Sequence, residues 1–258
     1  MTIRTDPWPA GTPTWVDLGA DDVTAATAFY AALFGWEYSS GGEESGGYLL
    51  ATLDGAAVAG IGPKQDPGTP SVWTTYLATD DVDASARAVS AAGGQVIAEP
   101  FDVMSSGRMA IVADPGGAAL GLWQAGDHIG AGRVNEPGTL VWNELHARDD
   151  VAARAFYASV FGYEYRDVGG EGFVYATFTR AGDGAEVGGI LRDAELPAGA
   201  PDHWLTWFAT GDVDASAARA EELGGKLRVP VSDTPFGRAT VVQGPQGEVF
   251  GLIALATR

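Results

Sequence analysis

Residues Phe29-Tyr30-Ala31-Ala32-Leu33-Phe34-Gly35-Trp36-Glu37-Tyr38 return, little changed, as Phe156-Tyr157-Ala158-Ser159-Val160-Phe161-Gly162-Tyr163-Glu164-Tyr165. Ala26, Phe29, Tyr30 and Leu33 recur at helical spacing, and Gly35 follows the last periodic residue as a left-handed C-cap would. An aromatic strand begins at once. Each copy is a short apolar helix handing over to a strand through one glycine, and the repeat spans about half of the 258 residues.

Outward from the first copy, Thr14 to Leu18 reads as a strand and Asp21 or Asp22 as the cap of a helix running to about Phe34. Further strands fall near Trp36 to Ser40, Tyr48 to Leu53 and Ala57 to Gly62. The order βαβββ then recurs: strand Val72 to Ala78, helix Asp81 to Ala92 closed by Gly93-Gly94, and strands near Gln95 to Val103, Arg108 to Ala113 and Ala118 to Gln124. In the second half, Gly211-Asp212-Val213-Asp214-Ala215-Ser216 answers Asp80-Asp81-Val82-Asp83-Ala84-Ser85, and Gly237-Arg238 answers Gly107-Arg108. Gly244-Pro245-Gln246-Gly247 likewise answers the turn Asp114-Pro115-Gly116-Gly117. The fold class is α+β, with four βαβββ units making two half-open curved sheets, apolar outside against the helices and enclosing clefts inside. The expected domains are residues 8–125 and 136–256, joined by a linker at 126–135.

A formal charge of -19 and a pI near 4.3 leave no basic stripe for nucleic acid or an anionic membrane. With no Cys, disulfides, thiolate catalysis and Cys-based zinc sites are excluded. Met1 to Trp8 contains no apolar signal core and no run approaches a membrane span, so a soluble, cytoplasmic protein is expected, as monomer or homodimer. At 46% hydrophobic residues with 8 Trp, the chain should pack as a globule.

The paired Phe-Tyr to Gly motifs, the turns at 114–117 and 244–247, and the four βαβββ units resemble the vicinal oxygen chelate superfamily, which includes glyoxalase I, bleomycin-resistance proteins and extradiol dioxygenases. The resemblance spans nearly the whole chain and implies tandem glyoxalase-like domains. Within the superfamily the chain looks most like tandem actinobacterial proteins of the mycobacterial secreted-antigen type and hydroxylase-type proteins of polyketide gene clusters. Metal-dependent members are expected to hold a divalent metal through His and Glu on the first and last strands of paired units. Carried over, the first-strand places fall on Trp15 and Trp142, and in the second and fourth units on or next to Thr74 and Leu205. The last-strand places fall on Gly60, Gly121, Gly189 and Gly251. None offers a carboxylate or imidazole, so a metal-free branch with no cofactor is expected.

Glycine floors and indole walls would widen the clefts for a flat apolar guest. Trp15 and Asp17 share one strand face, as do Trp142 and Glu144, while Val16, Leu18, Val141 and Leu145 suit the helix side. Tyr76 and Trp123 should face the first cleft and Trp207 the second. The candidate ligand-binding set is therefore Trp15, Asp17, Tyr76, Trp123, Trp142, Glu144 and Trp207, against the plainer possibility that these rings fill the interior. His146 lies on the face of Glu144, so the two are candidate catalytic residues, a general base with an orienting partner. His128 should be a solvated linker residue and His203 should sit at its strand's entrance. Arg108 and Arg238 suit either a ligand clamp or a cross-strand ion pair, the more frequent use.

Three functions compete: metal-independent binding of a small planar aromatic metabolite of polyketide or antibiotic type; a metal-independent tailoring hydroxylase or isomerase; and a metal-dependent lyase or dioxygenase. The absence of His and carboxylates at the carried-over places ranks the last lowest.

Overall fold

The computed structural model of the chain describes residues 3–42, 45–170 and 172–255; the expected boundary at residue 256 lies outside these. The first half runs β1 (Pro13–Ala20), α1 (Val23–Phe34), β2 (Glu37–Ser40), β3 (Leu49–Leu53), β4 (Ala56–Pro63), β5 (Val72–Ala78), α2 (Val82–Ala91), β6 (Gln95–Val103), β7 (Gly107–Ala113) and β8 (Ala119–Ala125). The second repeats it: β9 (Leu140–Ala147), α3 (Asp150–Phe161), β10 (Glu164–Asp167), β11 (Tyr175–Thr179), β12 (Glu186–Arg192), β13 (His203–Ala209), α4 (Val213–Glu222), β14 (Lys226–Thr234), β15 (Gly237–Gln243) and β16 (Val249–Leu255). Each half is one eight-stranded sheet, ordered β2-β3-β4-β1-β5-β8-β7-β6 and β10-β11-β12-β9-β13-β16-β15-β14. Both units of a half thus pair with each other through β1–β5 or β9–β13.

The helix ends follow their local chemistry. Asp22 accepts from the Ala25 N–H at 2.9 Å and Asp149 from the Ala152 N–H at 3.0 Å, satisfying first-turn donors. Gly35 and Gly162 close α1 and α3 at φ 75° and 70°, a region costly for any residue with a Cβ.

The repeated Phe-Tyr pair owes its place to the contact between halves. Phe29, Tyr30 and Trp36 pack in one core with Phe208, Phe250 and Leu252 of the other half, while Phe156, Tyr157 and Tyr163 pack with Leu77, Val89 and Leu122. Tyr30 donates to Glu248 Oε1 at 3.1 Å and accepts from the Trp73 indole at 3.0 Å. The second half mirrors this: Tyr157 donates to Asp114 Oδ2 at 3.1 Å and accepts from Trp204 at 3.1 Å. Burial raises the carboxyls of both Glu248 and Asp114 above their ordinary range. At the centre, Thr75 donates to the buried Asn143 Oδ1 at 2.7 Å. The convex sheet faces and their helices therefore bury one another, leaving the concave faces as the places for a site.

Candidate functional site

Cross-strand register decides what shares each concave face. In the first half Trp15 pairs with Tyr76 and Asp17 with both Thr74 and Gly60; in the second, Trp142 pairs with Trp207 and Glu144 with Leu205 and Gly189. The residues expected to meet do meet. The glycines, however, are not open floor. A Cβ on Gly60 would lie 1.8 Å from Tyr48 Oη, on Gly121 2.0 Å from Tyr76 Cδ1, on Gly189 2.0 Å from Tyr175 Oη, and on Gly251 2.1 Å from Trp207 Cε3. Each glycine makes room for an aromatic ring lying over its strand, which corrects the expectation that they widen the clefts.

In the first cleft those rings complete an interior. Trp15, Tyr76 and Trp123 are 3%, 6% and 6% exposed and cluster with Ala131, Met109 and Ile111. Asp17 is half-buried as a residue, yet its carboxylate is enclosed, accepting from Tyr76 at 3.0 Å and Tyr48 at 3.2 Å. Trp15 in turn donates to Tyr48 Oη at 2.9 Å. Burial drives Asp17 up to about 7 against the two tyrosine hydrogen bonds, which favour its charged form.

The segment between the sheets closes this cleft. His128 sets its ring edge-on to Trp15 at 4.4 Å, its carbonyl accepts from the Trp123 indole at 2.9 Å, and its Nε2 is buried with no partner among the described residues. Burial lowers its imidazole to about 4. The reading of His128 as solvated is thus corrected: after a bend at Gly126-Asp127 the chain doubles back into the concave face. Arg133 holds the segment down, pairing with Glu136 at 2.8 Å and Asp54 at 2.5 Å.

The second cleft keeps the Trp–Tyr–carboxylate chain but is not closed in the same way. Trp142 and Trp207 stay partly exposed side by side, and Ile253, paired with Ala209, stands where the first half has Trp123, paired with Ala78. Trp142 donates to Tyr175 Oη at 2.9 Å, and Tyr175 in turn hydrogen-bonds Glu144, which with burial raises the phenol well above its ordinary range. His146 bridges Glu144 Oε1 through Nε2 and Asp193 Oδ2 through Nδ1, both at 2.9 Å. Burial alone would lower His146, but Glu144 and then Asp193 outweigh it and hold the imidazole above its usual value; the same contact lowers Asp193 despite burial. His203, at the start of β13, stacks on His146 at 4.8 Å, and burial with the His146 charge lowers it. Phe236 leans towards Tyr175 from the β14–β15 turn, 5.7 Å between rings. The indole N–H of Trp207 is buried without a partner among the described residues.

Arg108 binds Asp83 at 2.8 Å and Asp102 at 2.9 Å, and Arg238 binds Asp214 and Asp233 in the same way. Both guanidiniums are spent on ion pairs. Tyr48, Tyr175 and Asp193 are the site residues that sequence reasoning missed. The two tyrosines stand at the same 127-residue offset as Phe29 and Phe156, a signal present in the repeat itself.

A model of the Glyoxalase/Bleomycin resistance protein/Dioxygenase superfamily matches residues 12–122 and 139–252. The chain belongs to this superfamily. It is 45% identical over 249 residues to "Putative glyoxylase CFP32" of Mycobacterium tuberculosis (strain CDC 1551 / Oshkosh), covering 94% of each chain. It is 38% identical over 260 residues to the anthracycline biosynthesis protein DnrV of Streptomyces peucetius, covering 95% of this chain and 94% of that one. Among solved structures, the Mn(II)-bound glyoxalase from Novosphingobium aromaticivorans aligns with a TM-score of 0.66 at 20% identity, over 95% of this chain and 82% of that one. The 2,3-dioxygenase LapB from Pseudomonas sp. KL28 aligns at 0.67 and 11% identity, over 96% and 94%. At those identities the likeness shows the fold.

The superfamily's metal place can be tested against the side chains present. Trp15, Trp142, Thr74 and Leu205 supply no carboxylate or imidazole, and rings occupy the space that a donor on Gly60, Gly121, Gly189 or Gly251 would need. Among the described residues no group of three or more His, Asp or Glu is arranged to hold a metal ion. In the second cleft both nitrogens of His146 are engaged by carboxylates. The residues do not fit the family's metal. No helix among the described residues is long and apolar enough to cross a membrane.

Proposed function

We propose that the chain binds a small planar aromatic metabolite of polyketide type in the cleft of its second half, with no divalent metal at the superfamily's metal place. The observation that carries this is the pair Trp142 and Trp207. The two indoles are neighbours across strands and partly exposed, and the Trp207 N–H is a buried donor that a ligand carbonyl or phenol oxygen would satisfy. Glu144 and His146, with side chains 13% and 15% exposed, give the cleft a polar edge for ring hydroxyls. The first-cleft candidates Trp15, Asp17, Tyr76 and Trp123 are closed by their own contacts and by His128, so the reading rests on the second cleft. Two relatives named for anthracycline biosynthesis support a ligand of this class.

Titration with an anthraquinone should quench Trp emission. Trp142→Ala and Trp207→Ala should each weaken binding about tenfold, since a lost stack is worth on the order of 1.4 kcal/mol. Unchanged affinity in both folded variants overturns the reading. Stoichiometric zinc, nickel or iron retained on Glu144 after dialysis overturns its metal-free part.

A tailoring enzyme is the second reading, favoured by the Glu144–His146–Asp193 chain. A histidine held between two carboxylates orients Glu144 to take a proton from a bound ring and return it elsewhere, which is isomerase chemistry. Conversion of the bound compound, followed by mass spectrometry and lost in Glu144→Gln with affinity retained, would decide for catalysis.

A further inference from the structure

The parallel ladders begin late. β1 joins β4 only from the pair Asp17–Gly60, and β9 joins β12 only from Glu144–Gly189. Before those pairs the strands splay, and each half carries a wedge-shaped gap with strand backbone on both sides.

In the first half the chain fills this gap with its own backbone. The Ala131 N–H donates to Thr14 O at 2.7 Å, and the next N–H, of Gly132, donates to Ala57 O at 2.8 Å. Thr14 Oγ1 donates to Ile129 O at 3.0 Å. The fit admits only small residues: a Cβ on Gly130 would lie 2.4 Å from Thr14 O, and Ala131 is fully buried. Residues 129–132 form a short insert, kinked at Gly130 where φ is 96°, that bridges the two splayed strands.

Thr14 and Ala57 stand three residues before Asp17 and Gly60; Val141 and Glu186 stand three before Glu144 and Gly189. Val141 and Glu186 both line a cavity of about 280 Å³, together with Trp142, Arg180, Asn135 and Trp8. Among the described residues, no backbone hydrogen bond from outside the ladders reaches either one.

We propose that this cavity is a binding site for a short glycine-containing peptide-like ligand that follows the kinked path of residues 129–132. Two successive amide N–H groups donate to the carbonyls of Val141 and Glu186, with hydrogen or methyl side chains between the strands. The molecule itself supplies the template, since the equivalent gap of the other half takes Gly-Ala-Gly in this manner. Recognition by strand backbone reads amide spacing and small size, and is indifferent to the aromatic chemistry of the adjoining cleft.

The test uses the intact, 15N-labelled chain and the peptide acetyl-Ile-Gly-Ala-Gly-amide, the sequence of residues 129–132. Saturable amide shifts are expected at Val141, Trp142, Glu186 and Val187, with none at Thr14 or Ala57. Methylating the two donating amides of the peptide should raise the half-saturating concentration at least tenfold. Ala185→Trp, which sets a ring into the cavity, should do the same. No shift at saturating peptide overturns the proposal, as does equal binding of the methylated peptide, a control that holds even if Ala185→Trp fails to fold. Concentration-dependent dimerisation that Ala185→Trp abolishes would also overturn it, because a second copy would then be the occupant.

Discussion

Replacing Asp17 by Asn should make the protein more stable in mild alkali while leaving it nearly unchanged in acid. In the folded chain the Asp17 carboxyl, shut in by Tyr48, Tyr76 and Trp15, titrates at about 7 instead of 3.8. A group whose folded value is raised leaves stability intact below its unfolded value. Stability then falls as the unfolded chain sheds a proton the folded chain retains, and levels off above the folded value. Between 3.8 and about 7 the cost grows to about 4 kcal/mol at about 1.4 kcal/mol per pH unit, a ceiling because the residue is only half-buried. Asn presents the same outline with no charge, and other titrating groups cancel when the two proteins are compared. Urea unfolding at pH 4, 6 and 8 should show a gap that opens from near zero to several kcal/mol in favour of Asp17→Asn. A gap independent of pH would mean that the Asp17 carboxylate is well solvated and the enclosure argued for the first cleft is wrong.

Gly251→Ala should cost about 1–3 kcal/mol and alter the near-UV dichroism of Trp207, because its Cβ would fall 2.1 Å from the indole; no change in either measurement would show that the ring does not lie on the glycine. Tyr157→Phe removes the acceptor of the buried Trp204 N–H and the donor to Asp114, so a loss of about 1–3 kcal/mol is expected in urea; a loss under about 0.5 kcal/mol would discount this contact between the halves. The stability His146 adds over His146→Gln should be full below its ordinary value of 6.5 and disappear as pH rises through its raised folded value; a flat difference would deny the bridge to Glu144 and Asp193.

The architecture was legible because it is periodic. Phe29-Tyr30 and Phe156-Tyr157 marked the helices, and strand alternation put Trp15 with Asp17 and Trp142 with Glu144, as the register shows. What escaped was everything that depends on a third chain segment. Gly60 and Gly189 carry no mark of the tyrosines above them, since a glycine reads alike whether it makes a floor or a seat for a ring. His128 lies in a Gly-rich stretch with no period, so its return into the first cleft could not be inferred from local pattern. Asp193, 47 residues from His146, meets it only because β9 and β12 run side by side.

The reciprocal packing of the halves also sets a timetable for synthesis. The face of α1 that carries Phe29 and Tyr30 finds its cover in Phe208, Phe250 and Leu252, residues synthesised only with the second half. A nascent chain that has completed its entire first sheet still presents this apolar face uncovered, and local folding cannot hide it. The first half must therefore wait at the ribosome in a sticky, half-covered state until β16 emerges. Truncation before β16 would leave this face without Phe250 and Leu252 and the product prone to aggregation.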